Sequence, residues 1–311
     1  MPGCRTLIAS LGLAVSLCSA AVLRAAAPVE VYHVGNSLTY HMIAADRYKI
    51  EAANRGIDID YGYHLLCGAG LHDICAFPTQ TCVPPNAYGT FAQALPNNHW
   101  DDVTLQTYGD SLSDNKTLIG QLINLTRSRP DNANTQFYIY EDYPQSLAGE
   151  DYSHAWPQPY DGTRRRTWTR DYSNLLMTSL RKQYPDPAHQ PILIPSGEVL
   201  YQLDQLAQAG QLPGVGGIEE WYGDDFHLNL FGSFTTETTM FAVMFKQSPV
   251  GLPGPDGMSP ELTQKVEETI WNVVSANKFT HVSAVPEPSA LGLFGMSAIG
   301  LLRRRDRGRR K

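Results

Sequence analysis

The stretch VEVYHVGNSLTY, residues 29–40, changes its period halfway along. Residues 29–34 are a short apolar, β-branched run that stops at Gly35, and over 38–54 the apolar residues recur at helical spacing. The reading is strand, tight turn, helix, with Ser37 at the turn.

Working outward, the same alternation repeats. Residues 57–66, 102–106, 137–140 and 192–194 read as further strands, and 116–129, 167–183, 198–209 and 230–246 as helices. Strand-helix alternation predicts an α/β fold with a parallel sheet. Two long irregular stretches interrupt it, 67–100 and 143–166. The second, YPQSLAGEDYSHAWPQPYDGTRRR, follows a strand and is dense in aromatic and turn residues. It reads either as a platform for sugar rings or as a surface loop packed by its own aromatics. A Pro/Gly-rich run, 248–260, separates the domain from a last helix, 261–277.

The ends of the 311-residue chain read as addresses. Residues 1–27 have a basic start at Arg5, an apolar run over 7–17 and small residues from Ser19, the layout of a secretory signal peptide. Residues 285–311 hold the triplet Pro286, Glu287, Pro288, an apolar stretch over 290–302 and a basic cluster over 303–311. In that order they resemble the PEP-CTERM sorting signal of exported Gram-negative proteins. The resemblance implies an exosortase-type sorting enzyme as partner, a short transmembrane anchor, and a final location at the cell surface or in the extracellular matrix. The expected domains are therefore 1–27, a leader; 28–247, the α/β domain; 248–284, linker and helix; and 285–311, the sorting tail.

The chain carries a formal net charge of −7. Setting aside the +6 of residues 303–311, the −1 of Glu287 and the +2 of Arg5 and Arg24 leaves −14 for residues 28–285. So acidic a domain argues against nucleic acid as a partner. Cys67, Cys75 and Cys82 would meet an oxidising compartment, where one disulfide and one free thiol are expected, with the pairing open. No companion Cys or His pair stands at zinc-ligand spacing, and no metal or other cofactor is implied.

A serine hydroxyl needs a base, and that base needs an orienting carboxylate. YGDDFHLNLFGS, residues 222–233, offers both: Asp224 lies three residues before His227 on a loop leading into a helix. Asp225 points elsewhere by one residue, and either aspartate could instead cap that helix. Two serines compete for the nucleophile's place. Ser37 follows the first strand, whereas Ser111 lies in the literal Gly-Asp-Ser-Leu of 109–112, where Asp110, Ser111 and Asp114 could equally form a turn and a helix cap.

GNSLT near the start and DDFHLN near the end together resemble the SGNH, or GDSL-like, hydrolase superfamily over about residues 29–246. The resemblance implies a flavodoxin-like α/β/α fold with a five-stranded parallel sheet in order 2-1-3-4-5. It implies Ser37 as nucleophile, His227 as base and Asp224 as its partner. The family's oxyanion glycine maps to Gly68, with Gly70 a rival. Its Gly-x-Asn-Asp block is missing here, and the Leu-Gln that ends the third strand, as in a subset of similar proteins, makes Gln106 the candidate amide donor. The expected activity is an exported serine esterase acting on a small-molecule or carbohydrate ester, foremost acetyl groups on extracellular carbohydrate. A non-catalytic glycan-binding protein and a lipase or thioesterase are the alternatives.

Overall fold

Alternation along the strands decides the layers. In β1 (Val29–Gly35), Val31 packs into the core on one side of the sheet while Tyr32 and Val34 pack into the core on the other. The same division separates Phe137 and Ile139 from Tyr138 and Tyr140. Both faces are apolar because both are covered by helices, as strands in a parallel sheet require.

The computed structural model describes residues 27–44, 46–145, 152–162 and 167–283. Nearly all of the expected leader, and the sorting tail with its short apolar segment, lie outside the described residues. After β1 come α1 (Ser37–Ile43), α2 (Arg47–Ala53), β2 (Ile59–Leu65), α3 (Leu71–Ala76), α4 (Phe91–Asn97) and β3 (Asp102–Gln106). These are followed by α5 (Leu112–Arg127), β4 (Gln136–Tyr140), α6 (Tyr152–Ala155) and α7 (Arg170–Gln183). The chain continues through β5 (Ile192–Ile194), α8 (Ser196–Gln208), α9 (Leu230–Phe245) and α10 (Pro260–Ala276). All strand pairs are parallel and the order is β2-β1-β3-β4-β5. One core joins α1, α2, α8, α9 and α10 to the sheet, and the other joins α3, α4, α5 and α7. This is the α/β/α arrangement expected from the sequence, and it sets the C-terminal ends of β1 and β3 side by side.

Three expectations need correction. The helix expected over 38–54 is two helices, broken near Asp46, whose φ of 52° no continuous right-handed helix accepts. The irregular stretch 67–100 contains α3 and α4, each too short for periodicity to reveal. Residues 248–283 pack onto the α/β domain instead of standing apart from it. Leu262, Val266, Ile270 and Val274 of α10 are buried in the same core as α8 and α9, and the Leu193 N–H of β5 donates to the Phe279 carbonyl at 3.0 Å. Among the described residues no helix is long and apolar enough to cross a membrane.

Cys67 and Cys82 form the disulfide and Cys75 is the free thiol, half-buried and pushed up to about 11 by burial. The bridge spans a sequence separation of 15. Closing such a loop in the unfolded chain is worth about 3 kcal/mol. Reduction should therefore lower the unfolding free energy in urea by about that amount. An unchanged urea midpoint after reduction would show that the loop is held by its packing instead.

Candidate active site

The site is built from the β1 to α1 turn upward. A Cβ at Gly35 would fall 2.1 Å from Thr39 Oγ1 and 2.7 Å from Gln106 Oε1, so only glycine lets the turn close against β3. Asn36 then caps α1, its Oδ1 accepting from the Leu38 N–H at 2.9 Å, while its Nδ2 donates to the Ala69 carbonyl at 3.0 Å. One side chain thus fixes both the start of α1 and the 66–70 loop beside it. Ser37 follows at the first helical position, half-buried, where a backbone N–H has no intrahelical acceptor.

His227 comes from a tight loop closed by the Tyr222–Leu228 bridge and by the Gly223 N–H donating to the His227 carbonyl at 2.8 Å. Asp224 Oδ1 accepts from the Phe226 N–H at 2.8 Å and the His227 N–H at 2.7 Å, and its Oδ2 lies 2.8 Å from His227 Nδ1. Donation from the imidazole, then from those two N–H groups, holds the Asp224 carboxyl down at about 2. His227 Nε2 lies 2.9 Å from Ser37 Oγ. With the ring proton on Nδ1 facing Asp224, Nε2 is left to accept from the serine hydroxyl. Ser37 Oγ, the His227 ring and the Asp224 carboxylate thus stand in a row, with Ser37 brought to the other two across 190 residues. Asp225 is exposed, and α9 is capped by Asn229, which frees Asp224 from that task.

Ser111 is occupied elsewhere. Its Oγ accepts from the Asp114 N–H at 3.1 Å as the cap of α5. Asp110, 5% exposed, accepts from the His72 N–H of α3 at 3.0 Å. The Gly-Asp-Ser-Leu of 109–112 is therefore a bracket between α3 and α5.

The two glycine rivals separate on packing. A Cβ on Gly70 would meet the Tyr108 carbonyl oxygen at 2.2 Å and Asp110 Oδ2 at 2.4 Å, so Gly70 is needed for close approach at the start of α3. Gly68 is exposed, adopts φ +70° and has open space where a Cβ would be. Neither its N–H nor that of Gly70 has a hydrogen-bond partner among the described residues. Gln106 sits beneath the turn. Its Oε1 accepts from the Asn36 N–H at 3.1 Å, the Thr39 N–H at 3.2 Å and Thr39 Oγ1 at 2.5 Å, whereas its buried Nε2 has no partner among the described residues.

Of the two readings of 143–166, the described aromatics favour the packed loop, Tyr160 lying half-buried edge-on against Tyr172. Tyr143, Tyr152 and Trp156 are buried, with the Trp156 indole donating to Glu198 Oε2 at 2.8 Å. Exposed rings occur instead at Phe226, beside His227, and at Tyr40, which meets His41 on α1, each 41% exposed. Sequence reasoning passed over His41, which stacks on His227, and over the capping role of Asn36. The signal for His41 was its spacing, one helical turn after Ser37. Among the described residues no group of three or more His, Cys, Asp or Glu side chains could hold a metal ion.

The PEP-CTERM protein-sorting motif matches residues 284–307, which indicates export and cell-surface sorting of the kind found in Gram-negative bacteria and recognition by an exosortase-type sorting enzyme. No curated protein matches the chain. Among solved structures, a DUF4886 family protein from Bacteroides uniformis is similar, with a TM-score of 0.57 and 17% identity over 84% of this chain and 99% of that one. A candidate SGNH hydrolase from Slackia heliotrinireducens gives a TM-score of 0.43 and 17% identity over 70% of this chain and 100% of that one. The chain thus carries a PEP-CTERM sorting motif beside a five-stranded parallel α/β domain whose fold is similar to that of the DUF4886 family protein.

Proposed function

We propose that the protein is an exported serine esterase. The observation that carries this reading is the 2.9 Å contact between Ser37 Oγ and His227 Nε2, with Asp224 on the opposite ring nitrogen. His227 takes the Ser37 proton as Oγ bonds to the acyl carbon, and the carbonyl electrons move onto oxygen. The imidazolium, balanced by Asp224, then protonates the departing alcohol oxygen as the bond between acyl carbon and alcohol breaks. Water, giving its proton to His227, attacks the acyl-serine, and Ser37 leaves with that proton restored. The N–H groups of Ser37 and Gly68 and the unspent Nε2 of Gln106 serve the developing oxyanion.

Acetylated carbohydrate is the proposed substrate class. The exposed rings of Tyr40, three residues after Ser37 on α1, and of Phe226, beside His227, suit a sugar ring, and the sorting motif fits an extracellular polymer. The direct test is release of acetate from acetylated oligosaccharides and of nitrophenol from short-chain nitrophenyl esters by the purified protein. Absence of turnover on every ester would sink the proposal.

Gln106 permits a cleaner test than deletion. Gln106→Glu keeps an oxygen for the Asn36 and Thr39 donors and puts a second carboxyl oxygen in place of the Nε2 donor. At a pH where that carboxyl is ionised and donates nothing, turnover should fall roughly 10²–10³-fold, and burial of the charge should also lower the thermal midpoint. Wild-type turnover from the ionised variant would make Gln106 a support of the turn alone.

A further inference from the structure

The hydrogen bonds to His227 hold its two polar edges, Nδ1 at Asp224 and Nε2 at Ser37. Both contacts lie at the edge of the ring, in its plane, and neither bears on its face. The ring face is held by another residue. His41, one turn along α1 from Ser37, lies nearly parallel to His227, with centroids 4.8 Å apart and planes 24° apart. Tyr40 meets His41 edge-on at 5.8 Å and Phe226 lies obliquely to His227 at 6.4 Å, so four rings form a row across α1 and the 222–228 loop.

We infer that His41 is a positioning residue for the general base, fixing the tilt of the His227 ring and presenting an uncharged face to the imidazolium that forms during turnover. The inference rests on the esterase reading above.

Two observations support it beyond the stacking distance. Because α1 carries both Ser37 and His41, the element that places the nucleophile also places the plane of the base. His41 is also kept neutral: burial is the main cause that lowers its pKa, the His227 charge lowers it further, and Asp224 opposes both. His227 and Asp224 are the charged or titratable groups that act on it across the loop, and Tyr40 is its neighbour on α1. A cation in this position would repel the imidazolium at ring-stacking distance, so a residue that stays neutral preserves the strength of the base.

The test uses His41→Ala, His41→Phe and His41→Lys in the full chain, with proton NMR titration of His227 alongside ester kinetics. Loss of the flat ring in His41→Ala should lower kcat about three- to tenfold with KM little changed. His41→Phe should restore most of that loss. His41→Lys should move the His227 titration, and the acid limb of kcat/KM, to lower pH. The ring-current shift of the His227 Cε1 proton should vanish in His41→Ala and persist in His41→Phe. An unmoved His227 titration in His41→Lys, or no ring-current change in His41→Ala, overturns the positioning role whether or not the protein turns over an ester. Wild-type inactivity on every ester, with the NMR changes intact, overturns the esterase reading alone.

Discussion

Ser37→Ala is expected to reduce ester hydrolysis by on the order of 10⁴–10⁶-fold while leaving the fold intact. Removing Oγ leaves His227 with no proton to take, and the rest of the site can only bind and polarise the ester. Ser111→Ala should behave in the opposite way. It removes an α5 cap, costing about 1 kcal/mol of stability, and leaves kcat within about twofold. Kinetics and urea denaturation on the two variants separate the serines completely. Turnover surviving in Ser37→Ala and lost in Ser111→Ala would reverse the assignment.

Stability should be markedly greater at pH 5 than at pH 8. Glu51, Glu141 and Asp142 are buried, and burial pushes each carboxyl up to about 8; Glu237, also buried, is pushed up to about 9. In the unfolded chain such groups ionise near pH 4. The folded state therefore holds protons that the unfolded state has released, and the stability this confers is full below about pH 4 and lost as pH rises towards 8 or 9. Each carboxyl contributes about 1.4 kcal/mol per pH unit across its window, so several together outweigh any one surface interaction. His33 works the other way. Burial between Thr104 and Tyr48 lowers it to about 3, so stability falls as pH drops from its ordinary value near 6.5 towards 3. His64, lowered by burial to about 4, acts with His33, while Asp102 and Glu267, pushed up by burial to about 7, act with the other carboxyls. The carboxyls outnumber the histidines, which places the maximum at about pH 4 to 5. Urea midpoints at pH 5 and pH 8 check this, and Glu237→Gln should flatten the difference. A higher midpoint at pH 8 would contradict it.

Much of the site was legible before any coordinate. The period change at residues 29–40 marked the strand end that carries Ser37, and an Asp-x-x-His before a helix marked Asp224 and His227. These features are local: alternation and 3.6-residue spacing are properties of neighbours in sequence, and a turn needs its glycine wherever it occurs. The break between α1 and α2, the burial of Tyr152 and Trp156, and the docking of α10 were not legible. Each depends on what lies across the core, and an aromatic-rich loop reads alike whether its rings face solvent or Glu198.

The literal Gly-Asp-Ser-Leu shows the same division sharply. The literal tetrapeptide surrounds Ser111 while the strand-end position pointed to Ser37, and the tertiary structure joins Ser37 to His227 across 190 residues and leaves Ser111 to cap a helix. The sequence by itself determined the strand-helix order, the parallel sheet that follows from it and the residue types able to transfer a proton, because these rest on local sterics and hydrophobic period. Only the tertiary structure decided whether Ser37 comes within reach of His227, which glycine is needed for close packing and which ring lies against His227. Those are distances between distant segments, set by how two cores pack on one sheet.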